Sequence, residues 1–365
     1  MKEEPKLVIV VGAGSTYSDS KQRSSALRPP LGKGFFRQCR RDEYVANLFD
    51  TIKDSLIFHY KLDPIEEAND DLEYILAKVY LDVQLRSGKT DIKSREALFL
   101  DLITLLNIRL ARITNRLEPT RNSGIGRIVS RYLKNGFEPK DICIITFNYD
   151  LHIEKNLLLL DDQAQFKSHK GNIFNFPHLY ELEGGIRMTS PPSKEIKFPR
   201  TSSPSSCISL LKLHGSLNWI SKHESANPPV SDLFNPKQDI LITPRRGMNI
   251  TMRLRGEQSM ATYPVIIPPI VGKSAVMHQQ ITGLWSLAKN RLDVATEVVV
   301  FGYSFPSADY ESVHLLENTI GLNKHCHHIF AINPDPSVIT RMGMIPKRKP
   351  VTLFPNTKDF LDFLM

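Results

Sequence analysis

The chain has 365 residues, 41% of them hydrophobic, and 47 Lys and Arg against 39 Asp and Glu give a formal net charge of +8. That apolar content excludes wholesale disorder, and the length suits one large α/β unit or two modest domains. The positive charge suits a phosphate-bearing ligand or an acidic partner but is too diffuse to designate nucleic acid, so direct nucleic-acid binding stays open.

At the N-terminus, MKEEPK is followed by only about five apolar residues, too few for the apolar core of a signal peptide. KLVIVVGAG (Lys6–Gly14) reads as the first buried strand. From about Arg41 to Lys134, four segments carry apolar residues at helical spacing with no strand between them, which predicts a helical insertion. DICIITFNYD (Asp141–Asp150) is the next strand, followed by the helical pattern LHIEKNLLLLD. Gly171–Ser206 and Ser221–Pro236, rich in Pro and polar residues, read as surface loops. ISLLKLHG (Ile208–Gly215), DILITP (Asp239–Pro244), YPVIIPP (Tyr263–Pro269), EVVVFGYS (Glu297–Ser304), HHIFAINPD (His327–Asp335) and PVTLFPN (Pro350–Asn356) read as further strands of one parallel sheet, with helices around EVVVFGYS and after INPD. The expected fold is α/β: a Rossmann-like parallel sheet over 1–38 and 138–365 with a helical inserted domain over 39–137.

The four cysteines, Cys39, Cys143, Cys207 and Cys326, form no C-x-x-C pair, which argues against a disulfide framework or a paired-cysteine zinc site. No apolar run approaches the ~18 residues that span a bilayer. A soluble, cytoplasmic protein with no membrane partner is expected.

In an open parallel sheet, ligands bind at the carboxyl ends of the strands. Gly12-Ala13-Gly14-Ser15 ends the first strand; it is either a plain tight turn or a loop that lets the backbone approach a pyrophosphate, and the third glycine of G-x-G-x-x-G is absent, since position 17 is Tyr17. Thr146-Phe147-Asn148-Tyr149-Asp150 offers Asn148, able to donate to and accept from a ribose hydroxyl, a carboxamide or a water, and Asp150, whose alternative role is a helix N-cap. His214, where a strand leaves the sheet, is either a packed histidine or a general base. Gly302-Tyr303-Ser304 can bind phosphate or ribose, and Asp335 either reaches a ribose or caps the following helix. His325, His327 and His328 read as the exposed entrance of a strand rather than a metal set, since adjacent strand residues point to opposite faces.

In this order, the GAGS loop, T-x-N-x-D, His214-Gly215, Gly302-Tyr303-Ser304 and Ile332-Asn333-Pro334-Asp335 resemble the sirtuin superfamily. RPPLGKGFF (Arg28–Phe36) stands where sirtuins carry a cofactor loop, in different wording. Protein deacylases of that family carry a zinc ribbon of two C-x-x-C pairs after the H-G motif, and none follows Gly215 here. The wording of TFNYD, LKLHGSLNW and FGYS, with the large insertion, is similar to the bacterial sirtuin-like proteins of antiphage defence, which hydrolyse NAD+. The resemblance implies NAD+ as substrate, no metal, and regulation by self-assembly into a homo-oligomer or by a partner in trans such as a HerA-type ATPase or another sensor protein, with a loop such as Leu31–Phe36 covering the site. It implies His214, Asn148 and Asp150 as catalytic residues, and His214 and Asn148 are expected to face each other across one dinucleotide groove. Gly12, Ala13, Gly14, Ser15, Thr146, Gly302, Ser304, Asn333 and Asp335 would bind the dinucleotide. An NAD-dependent protein deacylase and a non-catalytic NAD or ADP-ribose sensor are the alternatives.

Overall fold

The computed structural model describes residues 5–21, 28–29, 33–85, 91–163, 173–182, 186–190, 194–198, 207–223, 230, 240–242, 261–267, 277, 279–306, 309–342 and 350–365. Six strands, β1 (Leu7–Val11), β2 (Ile142–Thr146), β5 (Ser209–Lys212), β9 (Glu297–Phe301), β10 (His328–Ile332) and β11 (Val351–Phe354), form one wholly parallel sheet. Its spatial order is β11-β10-β9-β1-β2-β5. Numbered by their sequence within this sheet, the strands run 3-2-1-4-5-6, the order of dinucleotide-binding folds, and the direction of winding reverses between β1 and β9. The central strands β1 and β2 are buried on both faces, which explains why they read as unbroken apolar runs.

Helices supply the layers. Between β1 and β2 run α1 (Ala13–Ser20), α2 (Phe35–Arg40), α3 (Ala46–Tyr60), α4 (Leu72–Leu85), α5 (Ile92–Arg116) and α6 (Gly124–Lys134). α5 packs on α3 and α4 and buries side chains around most of its circumference. One of these is Arg109, paired with Asp42, which also takes Arg112. α6 is strongly amphipathic and lays Ile125, Ile128, Val129, Tyr132 and Leu133 inward, against α1 and α7 (His152–Asp161) among others. α8 (Gln279–Val294), α9 (Tyr310–Ile320), α10 (Val338–Met342) and α11 (Thr357–Phe363) follow. Among the described residues no helix is long and apolar enough to cross a membrane.

Two expectations fail here. The runs around 239–244 and 263–269 do not extend the parallel sheet. β7 (Leu241–Ile242) and β8 (Ala261–Ile266) join β3 (Ile186–Ser190), β4 (Lys194–Phe198) and β6 (Gly215–His223) in a second, largely antiparallel sheet of order β4-β3-β7-β6-β8. The stretches 171–206 and 221–236, read as loops, contribute β3, β4 and the end of β6 to it. The cause is local. Only Leu213 and His214 separate β5 from β6, far fewer residues than a parallel crossover needs. Gly215, at φ +82, swings the chain out of the first sheet; a Cβ there would stand 2.0 Å from Val265 O.

Candidate functional site

The switch point is built from backbone meeting backbone. Gly12 N–H donates to Phe301 O (3.0 Å) and Gly14 N–H to Gly302 O (2.9 Å), stitching the turn after β1 to the turn after β9. A Cβ on Gly12 would lie 2.5 Å from Tyr303 Cα, and one on Gly302, at φ +64, would lie 2.3 Å from Ser15 N. The glycines are therefore required for this interlock itself. Ser15 N–H and Ser15 Oγ both donate to Gly12 O, at 3.1 and 2.8 Å. The amides of Gly12, Gly14 and Ser15, expected to cradle a pyrophosphate, are thus spent within the protein in this structure. Ala13, the exposed first residue of α1, stands at the helix N-terminus.

The TFNYD segment leans on the same turn. Thr146 Oγ1 donates to Val11 O (3.0 Å) and accepts Asn148 N–H (3.1 Å). The Asn148 amide donates from Nδ2 to Gly12 O (3.1 Å) and to Thr16 Oγ1 (3.4 Å), and Thr16 Oγ1 donates to Asp150 Oδ2 (3.2 Å). Asp150 also accepts His152 N–H (2.9 Å), so one carboxylate holds both Thr16 and the first amide of α7. Behind it, fully buried Lys212 holds the Asp150 carbonyl and pairs with Glu154 at 2.9 Å.

His214, 3% exposed, occupies the two-residue link between the sheets. Its Nε2 lies 3.2 Å from Ser312 Oγ and 3.4 Å from Asp309 Oδ1. Ser312 Oγ donates to Asp309 Oδ1 (2.6 Å), and Tyr303 Oη donates to Asp309 Oδ2 (3.0 Å). Burial, and then the Asp309 charge, pushes the Tyr303 phenol well above its ordinary range, keeping it a donor. The imidazole is packed by aromatic rings: Phe147 at 5.2 Å, Tyr149 at 6.2 Å and Trp285 stacked at 6.1 Å. Trp285 Nε1–H also donates to Leu213 O (2.9 Å), and Ile267 N–H to His214 O (2.8 Å).

No hydrogen bond joins His214 to Asn148. They sit in two clusters, and Phe147, next to Asn148 in the chain, packs its ring on His214 and on Tyr303, the latter at 4.7 Å, both in the second. Their partners differ: Asn148 turns toward α1 and His214 toward the start of α9.

The remaining residues divide. Gly302 lies in the interlock, and Ser304 is exposed beside it. Asn333 braces the β9 turn, donating from Nδ2 to Tyr303 O (3.2 Å) and accepting Asp335 N–H (3.0 Å). Asp335 is exposed and tied to Ser337 and Arg341; the Ser337 hydroxyl, then Arg341, draws its carboxyl down to about 2. Its carboxylate also accepts Ser337 N–H (2.9 Å), one residue before α10. His325, His327 and His328 are exposed at the start of β10, His328 stacked on Phe330. Of Arg28–Phe36, residues 30–32 lie outside the described residues; Gly34 N–H donates to Asp70 O, and Phe35 and Phe36 are fully buried.

No family model matches the chain, and no curated protein matches it. Among solved structures, the chain is similar to a Sir2 homologue in complex with NAD, at 14% identity and TM-score 0.41 over 99% of this chain and 88% of that one. A mutated Sir2 homologue with 2'-O-acetyl ADP ribose aligns at 15% identity and TM-score 0.44, over 99% and 91%. A Sir2 bound to acetylated peptide aligns at 10% and 0.38, over 100% and 93%. Likeness at this level decides nothing about the chemistry, which rests on this chain's own residues.

Sequence reasoning missed Asp309, Ser312, Thr16 and Trp285. Asp309 reads in the sequence as an ordinary helix N-cap, and only the structure shows that its side chain caps no backbone amide of α9. Thr16 directly follows GAGS.

Proposed function

We propose that this chain is a sirtuin-like NAD+ glycohydrolase, cleaving the nicotinamide–ribose bond with water to give nicotinamide, ADP-ribose and a proton. In this reading residues 39–137 form a helical insertion in a Rossmann-like unit made of 1–38 and 138–365. The observation that carries the reading is the coupling of His214 to Asp309 and Ser312 beside the Asn148–Thr16–Asp150 cluster, at the switch point of a 3-2-1-4-5-6 sheet. Departure of nicotinamide builds positive charge on the ribose. His214 takes the proton of the attacking water or of a ribose hydroxyl, with Asp309 orienting the imidazole and stabilising its cation. Asn148 leaves Gly12 O to hold the ribose or the water, and Asp150 positions it through Thr16. Ala13, Gly302 and Ser304 line the dinucleotide's path. The engaged amides and the aromatic packing of His214 describe a resting form, as an NAD+-depleting enzyme requires.

The role in antiphage defence, self-assembly, and a trigger in trans such as a HerA-type ATPase complete the proposal; they rest on motif wording and on the long insertion. Against a deacylase stands the lack of paired cysteines after Gly215, where the chain enters β6 directly. A purely sensing module draws support from the engaged state of both Asn148 and His214. Nicotinamide release from NAD+, with and without acetylated peptide, separates the three. Hydrolysis independent of peptide is expected, and His214→Ala and Asn148→Ala should each lower it about 10²–10⁴-fold with the fold intact. Full turnover in either variant refutes the assignment.

A further inference from the structure

We propose that the cleft between α6 and α7, away from the switch point, is a second ligand site, for a phosphorylated nucleotide. The cleft measures about 760 Å³, within the range of small-ligand sites. Among the described residues four cations line it, Arg121, Arg127, Arg131 and Lys134, with Asp162 the one carboxylate. None of these four side chains has a hydrogen-bond or ion-pair partner among the described residues.

That arrangement works against the helix carrying it. Arg127 and Arg131 are four residues apart on α6 and Lys134 follows three later, and like charges at those spacings repel. Cations matched by a carboxylate occur elsewhere in the chain, as at Arg95 with Asp82 and Lys155 with Glu118. A concave surface of unmatched cations, three of them guanidinium forks, is complementary to phosphate oxygens. The inner wall is of another character. Leu160 and Asn156 from α7 are buried, and Asn156 Oδ1 accepts nothing. It faces Gly126, 2.8 Å from where a Cβ would stand, while Asn156 Nδ2 is committed to His152 O (2.8 Å). Leu159, partly exposed in the lining, gives a base apolar surface to pack on, whereas the rim suits its phosphates.

The test is calorimetric titration of the full chain with ATP, with tripolyphosphate and with a short DNA duplex. ATP is expected to bind at one site per chain, more tightly than tripolyphosphate, and Arg127→Gln and Arg131→Gln should each weaken it about 10- to 150-fold, the range of a hydrogen bond to a charged group. Asn148→Ala and His214→Ala should leave it unchanged, which separates this site from the proposed NAD+ site. The arginine variants should melt no lower than the parent chain, because removing one of two repelling charges relieves α6. Four outcomes overturn the proposal: no saturable ATP binding, binding lost in Asn148→Ala but kept in the arginine variants, duplex bound more tightly than ATP through the same arginines, or arginine variants that melt lower because the cations are structural.

Discussion

Replacing Gly302 with alanine tests whether the turns after β1 and β9 interlock as described. A Cβ at this position would stand 2.3 Å from Ser15 N and 2.6 Å from Gly14 C, both backbone atoms that cannot rotate aside. The residue also holds φ +64, a left-handed conformation costing roughly 1–2 kcal/mol for a non-glycine residue. Overpacking against fixed backbone adds about 1–3 kcal/mol, for a total of about 2–5 kcal/mol. At about 2 °C per kcal/mol for a chain of this size, Tm should fall by about 4–10 °C. Gly34 provides the control: its φ is +82 but nothing lies within 4 Å of its Cβ position, so Gly34→Ala should lose only the conformational part, about 2–4 °C. Thermal melts followed by far-UV circular dichroism measure both. Equal shifts in the two variants would refute the interlock, leaving glycine at 302 with no more than a turn preference.

Asp309→Asn keeps the shape of the His214 pocket but removes its charge; a charge-assisted hydrogen bond of about 1.5–3 kcal/mol corresponds to about 10- to 150-fold slower nicotinamide release, assayed well below the variant's melting temperature because the amide can accept from only one of Tyr303 and Ser312, and an unaltered rate would discard Asp309 as the orienting group. Glu297, at the foot of β9 under Tyr132, has its carboxyl raised by burial from 4.5 to about 7. The folded state therefore holds a proton that the unfolded chain releases near 4.5, so stability falls as pH rises from about 4.5 to 7. Discounted for partial exposure, the loss is about 1–2 kcal/mol; Glu297→Gln should flatten the pH dependence of Tm in that window, and an unchanged slope would show that burial there does not hold the proton. Asp42→Asn, which leaves buried Arg109 and its neighbour Arg112 without their carboxylate, should destabilise by about 3–5 kcal/mol, measured by urea unfolding; a loss under 1 kcal/mol would mean that the pair is effectively solvated.

The amino-acid sequence alone determined the six parallel strands and most of the helices around them. A strand buried on both faces must be apolar throughout, as LVIVV and ICIIT are, and a helix with one buried stripe must repeat near 3.6 residues, as GRIVSRYLK does. It also marked the strand ends where glycine and polar residues interrupt the apolar runs, because a chain leaving a sheet needs turns and exposes its ends. Tertiary structure decided the rest. Whether a short apolar run such as ILI pairs in the first sheet or the second depends on which edge is near, and the two-residue link at Leu213-His214 settled that. The partners of His214 were invisible for the same reason. Asp309 and Ser312 lie about a hundred residues further along the chain, and only the packing of α9 against the β5–β6 link brings a carboxylate and a hydroxyl to the imidazole. Local sequence fixes how each segment is built; which groups then meet is set by long-range packing, where hydrogen bonds form between whatever the fold has placed within about 3 Å.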